Sequence, residues 1–257
     1  MSLPAFIRLT IRNIKVNVDP GTLTFLLGLP ALYFFVLGLM FQGIIPGVEL
    51  NGIDVSYTSF LAPGIIGMQA LTAGNIGGSL LWSDRRWGMF EQLMVGPFRR
   101  ADYLLGIMIV SVIFSLGGSL IMLAFAISIH ASFIISIETT PYLILALVMG
   151  TIFFTSLFLI ISVFAKSMQA YNTITIVLFF FLDFASTAFY PITSSTPVWL
   201  RGISEFNPLS MIVNVIRSSM LTTVTSSSIV TVLELFLLML VFFSFSILSY
   251  RKIRVGS

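Results

Sequence analysis

The chain is poor in the residues that catalysis uses. It has no cysteine, which removes thiol nucleophiles, disulfides and thiolate metal sites. Its single histidine, His130, cannot build a two-histidine metal motif, so no metal site is expected. The three lysines, Lys15, Lys166 and Lys252, follow Ile14, Ala165 and Arg251. A phosphate-cradling P-loop needs Gly-Lys-Ser/Thr. An ATP-driven activity would therefore take its motor, with ATP and Mg, from another chain, and no cofactor is expected on this one. Two carboxylates within apolar runs, Asp183 and Glu234, remain, along with a charged segment over 83–102.

Composition explains why charges are so few. Hydrophobic residues make up 57% of the 257 positions and charged ones 9%, with a mean hydropathy of +1.05. A soluble domain carries about 25% charge, so the chain reads as an all-α integral membrane protein. Runs of roughly 20 apolar residues, the length needed to span a bilayer, occur at 22–42, 57–82, 104–129, 142–164, 170–190 and 229–250. The first run lacks a compact cleavage site and is expected to stay as an anchor. Eleven of the 13 basic residues then fall on one side: Arg8, Arg12, Lys15, Arg85, Arg86, Arg99, Arg100, Lys166, Arg251, Lys252 and Arg254. Only Arg201 and Arg217 fall on the other. Positive residues favour the cytoplasm, so a multi-pass protein of the cell (plasma) membrane with both termini cytoplasmic is expected. Basic residues so placed imply lipid contact and no nucleic acid.

Within 4–18, Ile7, Ile11, Ile14 and Val18 form one apolar stripe beside Arg8, Arg12 and Lys15. Residues 1–19 are expected to make an amphipathic helix lying on the membrane surface, ahead of a six-helix unit over 20–257. In span two, Ala70, Gly74 and Gly78 stand four apart, a spacing that lets helices approach closely. Gln69, Thr72, Asn75 and Ser79 share one side of that helix. In span five, Asn172, Thr175, Phe179, Asp183, Ser186 and Tyr190 share one face. A charged Asp183 central in a bilayer costs roughly 2.5–3.5 kcal/mol, so this face must look into the bundle or water. It lines either a transport path or a dimer seam, or Asp183 pairs structurally with Arg201 or Arg217.

The segment Asp84-Arg85-Arg86-Trp87-Gly88-Met89-Phe90-Glu91-Gln92-Leu93, then Pro97, Arg99 and Gly106, resembles the cytoplasmic loop of ABC type-2 export permeases. The outer segment resembles the same family's signature before the last span. It carries Tyr190-Pro191, Pro197-Val198-Trp199-Leu200, Asn207-Pro208-Leu209 and Arg217. The resemblance implies a homodimer or pseudo-dimer bound to two ABC ATPase subunits. It implies a coupling helix within 84–99 and a re-entrant outer cap over 191–220. Asp84, Arg85, Arg86, Met89, Phe90, Glu91, Leu93, Pro97 and Arg99 would meet the motor. Gln69, Thr72, Asn75, Asn172, Thr175, Phe179, Asp183 and Ser186 would line the path.

The leading expectation is thus the permease subunit of an ATP-driven exporter of an amphipathic drug, lipid or lipid-linked glycan. The alternative is a proton-coupled secondary transporter using Asp183 and Glu234. An intramembrane hydrolase lacks the residues it would need.

Overall fold

The computed structural model describes residues 3–45, 47–50, 52–193 and 196–251. Lys252 and Arg254, counted above for the tail, lie outside the described residues. About 78% of the described residues are helical. The all-α expectation needs one addition, a small hairpin of β1 (Val48–Leu50) and β2 (Ile53–Val55). Its strands are three residues each, too short to leave an alternating pattern that could be read in advance.

Helix α1 (Ala5–Asn17) matches the amphipathic segment, and its face is informative. Leu9, Thr10, Asn13 and Asn17 are the buried positions. They pack along α6 (Arg100–Ser128), where a Cβ at Gly106 would stand 3.1 Å from Leu9 Cβ. The apolar stripe is split: Ile11 and Val18 are exposed, while Ile7 and Ile14 are half-buried, Ile14 against a cluster that includes Val110 and Phe114 of α6. Asp19 then caps the next helix by accepting from the amides of Gly21 and Thr22. Hydrogen bonds from Thr22 hold its carboxyl below the usual range. A helical path follows through α2 (Pro20–Leu23), a π-turn at Thr24–Gly28, and α3 (Leu29–Gln42).

Helix α4 (Tyr57–Arg86) is the axis of the molecule. Nearly every position from Tyr57 to Trp82 is buried. The small residues do what their spacing implies. A Cβ at Gly74 would stand 2.6 Å from Phe154 Cβ, and one at Gly78 2.5 Å from Phe158 Cβ, both on α7 (Thr140–Phe164). The backbones of α4 and α7 therefore meet where only glycine fits.

Among the described residues, four helical stretches are long and apolar enough to cross a membrane: Pro20–Phe41, Arg100–Ser128, Thr140–Phe164 and Ser226–Tyr250. The last is α11. Shorter apolar helices are α8 (Met168–Phe184) and α10 (Pro208–Leu221), with α9 (Val198–Phe206) between them. Only 11% of the most apolar window of α11 is buried. That much exposed apolar surface is stable against lipid and not against water, so the chain is a multi-pass membrane protein. Helix α4 has the length of a span but fewer apolar residues, because protein rather than lipid surrounds it.

Candidate functional site

The charged segment is an elbow rather than one helix over 84–99. Asp84, Arg85 and Arg86 form the last turn of α4. Gly88, at φ +67°, takes the left-handed conformation that ends α4 and turns the chain. Seven residues then form α5 (Met89–Val95), and Gly96, Pro97 and Arg99 lead into α6. Asp102 accepts from the Arg99 amide at 3.0 Å and so starts α6.

Inside the elbow the side chains divide into two sets. Asp84 is 5% exposed and takes a two-pronged contact from Arg12, with Nη1–Oδ2 at 2.6 Å and Nη2–Oδ1 at 2.7 Å. The hydroxyl of Tyr103 donates to the same Oδ2 at 2.8 Å. The hydrogen bond to Asp84 holds the Arg12 guanidinium above its ordinary pKa, against the burial that lowers it. Arg85 donates to the carbonyls of Ser162 and Val163, capping the end of α7. Phe90 is fully buried, with its ring edge-on to Tyr103 and Tyr250. Leu93 packs against this same aromatic core. The second set faces outward: Arg86, Met89, Gln92, Pro97 and Arg99 are exposed. Trp87 and Val95, absent from the expected contact set, are 76% and 84% exposed. Glu91 is half-buried.

The polar faces of α4 and α8 point inward. Gln69 and Thr72 are fully buried and Asn75 is half-buried. Among the described residues, neither Gln69 Oε1 nor Nε2 has a hydrogen-bond partner. On α8, Thr175, Phe179 and Asp183 are buried, as is Ser186 just beyond the helix, while Asn172 at the start is exposed. The two helices meet where the Tyr171 hydroxyl donates to the Asn75 carbonyl at 3.3 Å. Asp183 is fully buried, and neither carboxyl oxygen has a hydrogen-bond partner among the described residues. Arg217 does not supply the structural pairing weighed from the sequence, because its hydrogen bonds go elsewhere.

The outer cap is built on those other bonds. Arg217, in α10, donates to the Thr187 carbonyl at 2.7 Å and to Asn214 Oδ1 at 3.3 Å. Its guanidinium lies 4.0 Å from the centroid of the Phe60 ring. Asn207 joins α9 to α10. Its amide donates to the Leu182 carbonyl at 2.8 Å and its oxygen accepts from the Leu209 amide, with Pro208 opening the helix. Tyr190 donates to the Phe184 carbonyl. Pro191 is half-buried, and Pro197 stands just before α9. Trp199, 67% exposed, borders a cleft of about 530 Å³ between α8 and α9. At about 1.5 Å per residue, the 14 residues of α10 reach about 21 Å, too short to span.

A family profile described as ABC-2 type transporter matches residues 5–221, from the start of α1 to the end of α10. The chain belongs to the ABC-2 type transporter family. A Porphyra purpurea protein that carries the name transport permease ycf38 is 30% identical over 207 residues, which cover 77% of this chain and 67% of that protein. As an ABC-2 permease, the chain is a transport subunit rather than a catalytic enzyme. The matched range includes the Arg12–Asp84 pair that ties α1 to the elbow. Sequence reasoning missed that pair because it ended span two at residue 82. Continuing the helix would have put Asp84 on the face of Gly77 and Leu81, both buried.

Proposed function

We propose that this ABC-2 permease is the membrane subunit of an ATP-driven exporter, powered by a separate ABC ATPase that holds the ATP and Mg. Two copies of this chain would pair and engage two ATPase subunits. In this reading Pro20–Phe41, α4, α6, α7, α8 and α11 make six spans, with both termini cytoplasmic and α9–α10 as a re-entrant outer cap. The substrate is an amphipathic molecule such as a drug, lipid or lipid-linked glycan. The polar but mostly uncharged faces of α4 and α8 favour it.

One observation carries the motor reading: the elbow is exposed at its tip and rooted in the bundle. Trp87, Met89 and Val95 offer apolar surface that a merely solvated loop has no need of. Asp84, Arg85 and Phe90 link that tip to α1, α6, α7 and α11. A push on α5 would therefore reach α4 and the polar faces it carries. The test is Met89→Asp combined with Trp87→Ala in the reconstituted complex. ATPase association and ATP-dependent transport should be lost while thermal stability is kept. Normal ATP-driven transport in that variant would remove the assignment.

The secondary-transporter reading draws on Asp183, a buried carboxyl without a partner. Its second acid, Glu234, is exposed on α11. The two do not share a buried relay, which favours the exporter.

A further inference from the structure

A cleft of about 390 Å³ runs between the start of α6 and the end of α11. Its walls include Leu104 and Leu105 from α6, and Phe243 and Ile247 from α11. Arg100 and Arg251 stand at its mouth, held together by the Arg100 guanidinium donating to the Arg251 carbonyl at 3.1 Å. A second cleft of about 370 Å³ shares Leu105 and Phe243 and carries the groove on past Ile109 and Leu240 to Ile113. From Arg100 to Ile113 is about 20 Å of helix. That is close to one leaflet, whose hydrocarbon is about 15 Å deep, half of a typical core.

The lining is chemically lopsided. Every wall residue named is apolar, and the charged residues at the mouth, among the described residues, are both arginines. One polar side chain stands beside this setting. Tyr250 lines the lower cleft and is 4% exposed, and among the described residues its hydroxyl has no hydrogen-bond partner. A buried hydroxyl left unpaired is costly.

We propose that this groove seats one resident phospholipid with a net negative headgroup. Its phosphate lies against Arg100 and Arg251 beside Tyr250, and an acyl chain fills the apolar groove. Basic pockets between membrane helices on the cytoplasmic side suit such headgroups. The placement in the inner leaflet rests on the orientation proposed above. The lipid would also touch the seat of the elbow. The Tyr250 ring stacks on Tyr103 at 6.2 Å and meets Phe90 of α5 edge-on at 5.7 Å. The site is thus a positioning ligand for α5 as well as a filler of the groove.

The test is native mass spectrometry of the purified full-length transporter, titrated with phosphatidylglycerol or phosphatidylcholine of matched chains. The wild type should bind one phosphatidylglycerol per chain with a clear preference over phosphatidylcholine. Arg251→Gln should weaken phosphatidylglycerol binding about fivefold, the effect of one basic residue at an anionic surface, and leave phosphatidylcholine unchanged. Leu105→Trp, at a position 43% exposed, should fill the groove and abolish the bound lipid. Leu237→Trp, on α11 and 62% exposed, should bind like the wild type. Equal binding of the two lipids, or unaltered phosphatidylglycerol binding in Arg251→Gln or Leu105→Trp, would overturn the site. So would an equal loss in Leu237→Trp, which would mean general lipid adsorption. Labelling of a Gln92→Cys variant from outside intact cells would refute the orientation alone. The two readings therefore fail separately.

Discussion

Asp84 is held by Arg12 and Tyr103 in one buried contact, and that contact decides how the elbow is built. Losing one partner of a buried pair costs about 3–5 kcal/mol. The Arg12 side chain remains 25% exposed, so water softens the loss here to about 2–3 kcal/mol. Asp84→Asn and Arg12→Ala should each destabilise the chain by that amount in denaturant unfolding. The double variant should lose much less than the sum of the two. Losses below about 0.5 kcal/mol would mark the pair as a surface contact instead. Asp183 is the opposite case. Its oxygens have no partner among the described residues, so Asp183→Asn removes a titratable group and breaks no hydrogen bond seen there. Stability should hold or rise while transport falls if this face lines the path. Normal transport in a stable Asp183→Asn protein would assign the residue no part in it.

Among the elements, α4 positions everything else, and its glycines carry the packing. Gly78→Ala would force a methyl to 2.5 Å from Phe158 Cβ and should destabilise by about 1–3 kcal/mol, the range for overpacking. Gly117→Ala on α6 meets open space and should be neutral or slightly stabilising. Thermal unfolding of the two variants checks the contrast, and equal effects would contradict the close α4–α7 approach. This packing was legible in advance because small residues at four-residue spacing on an apolar helix have few other uses. The amphipathic character of α1 was legible for the same periodic reason, but its buried face was not. Leu9, Thr10, Asn13 and Asn17 face α6, and Ile11 and Val18 stay outside. Ile14 of the same stripe is half-buried against Val110 and Phe114 of α6, so the stripe is divided between the surface and the bundle. The inward turn of Phe90 was equally hidden. Only the tertiary meeting of Tyr103 and Tyr250 shows where its ring goes.

At the scale of the molecule, the proposed function is a division of labour, in which this chain would move the substrate and another chain would hydrolyse ATP. None of the three lysines in these 257 residues stands in a P-loop setting, which agrees with that division. The exposed tip of the elbow would be the place for the motor to hold. The direct measurement is purification of the tagged full-length chain under native conditions, followed by reconstitution with and without what accompanies it. An ABC ATPase should co-purify in equal number to this chain, and transport should require it together with ATP. Transport by this chain alone, driven by a proton gradient, would contradict the account.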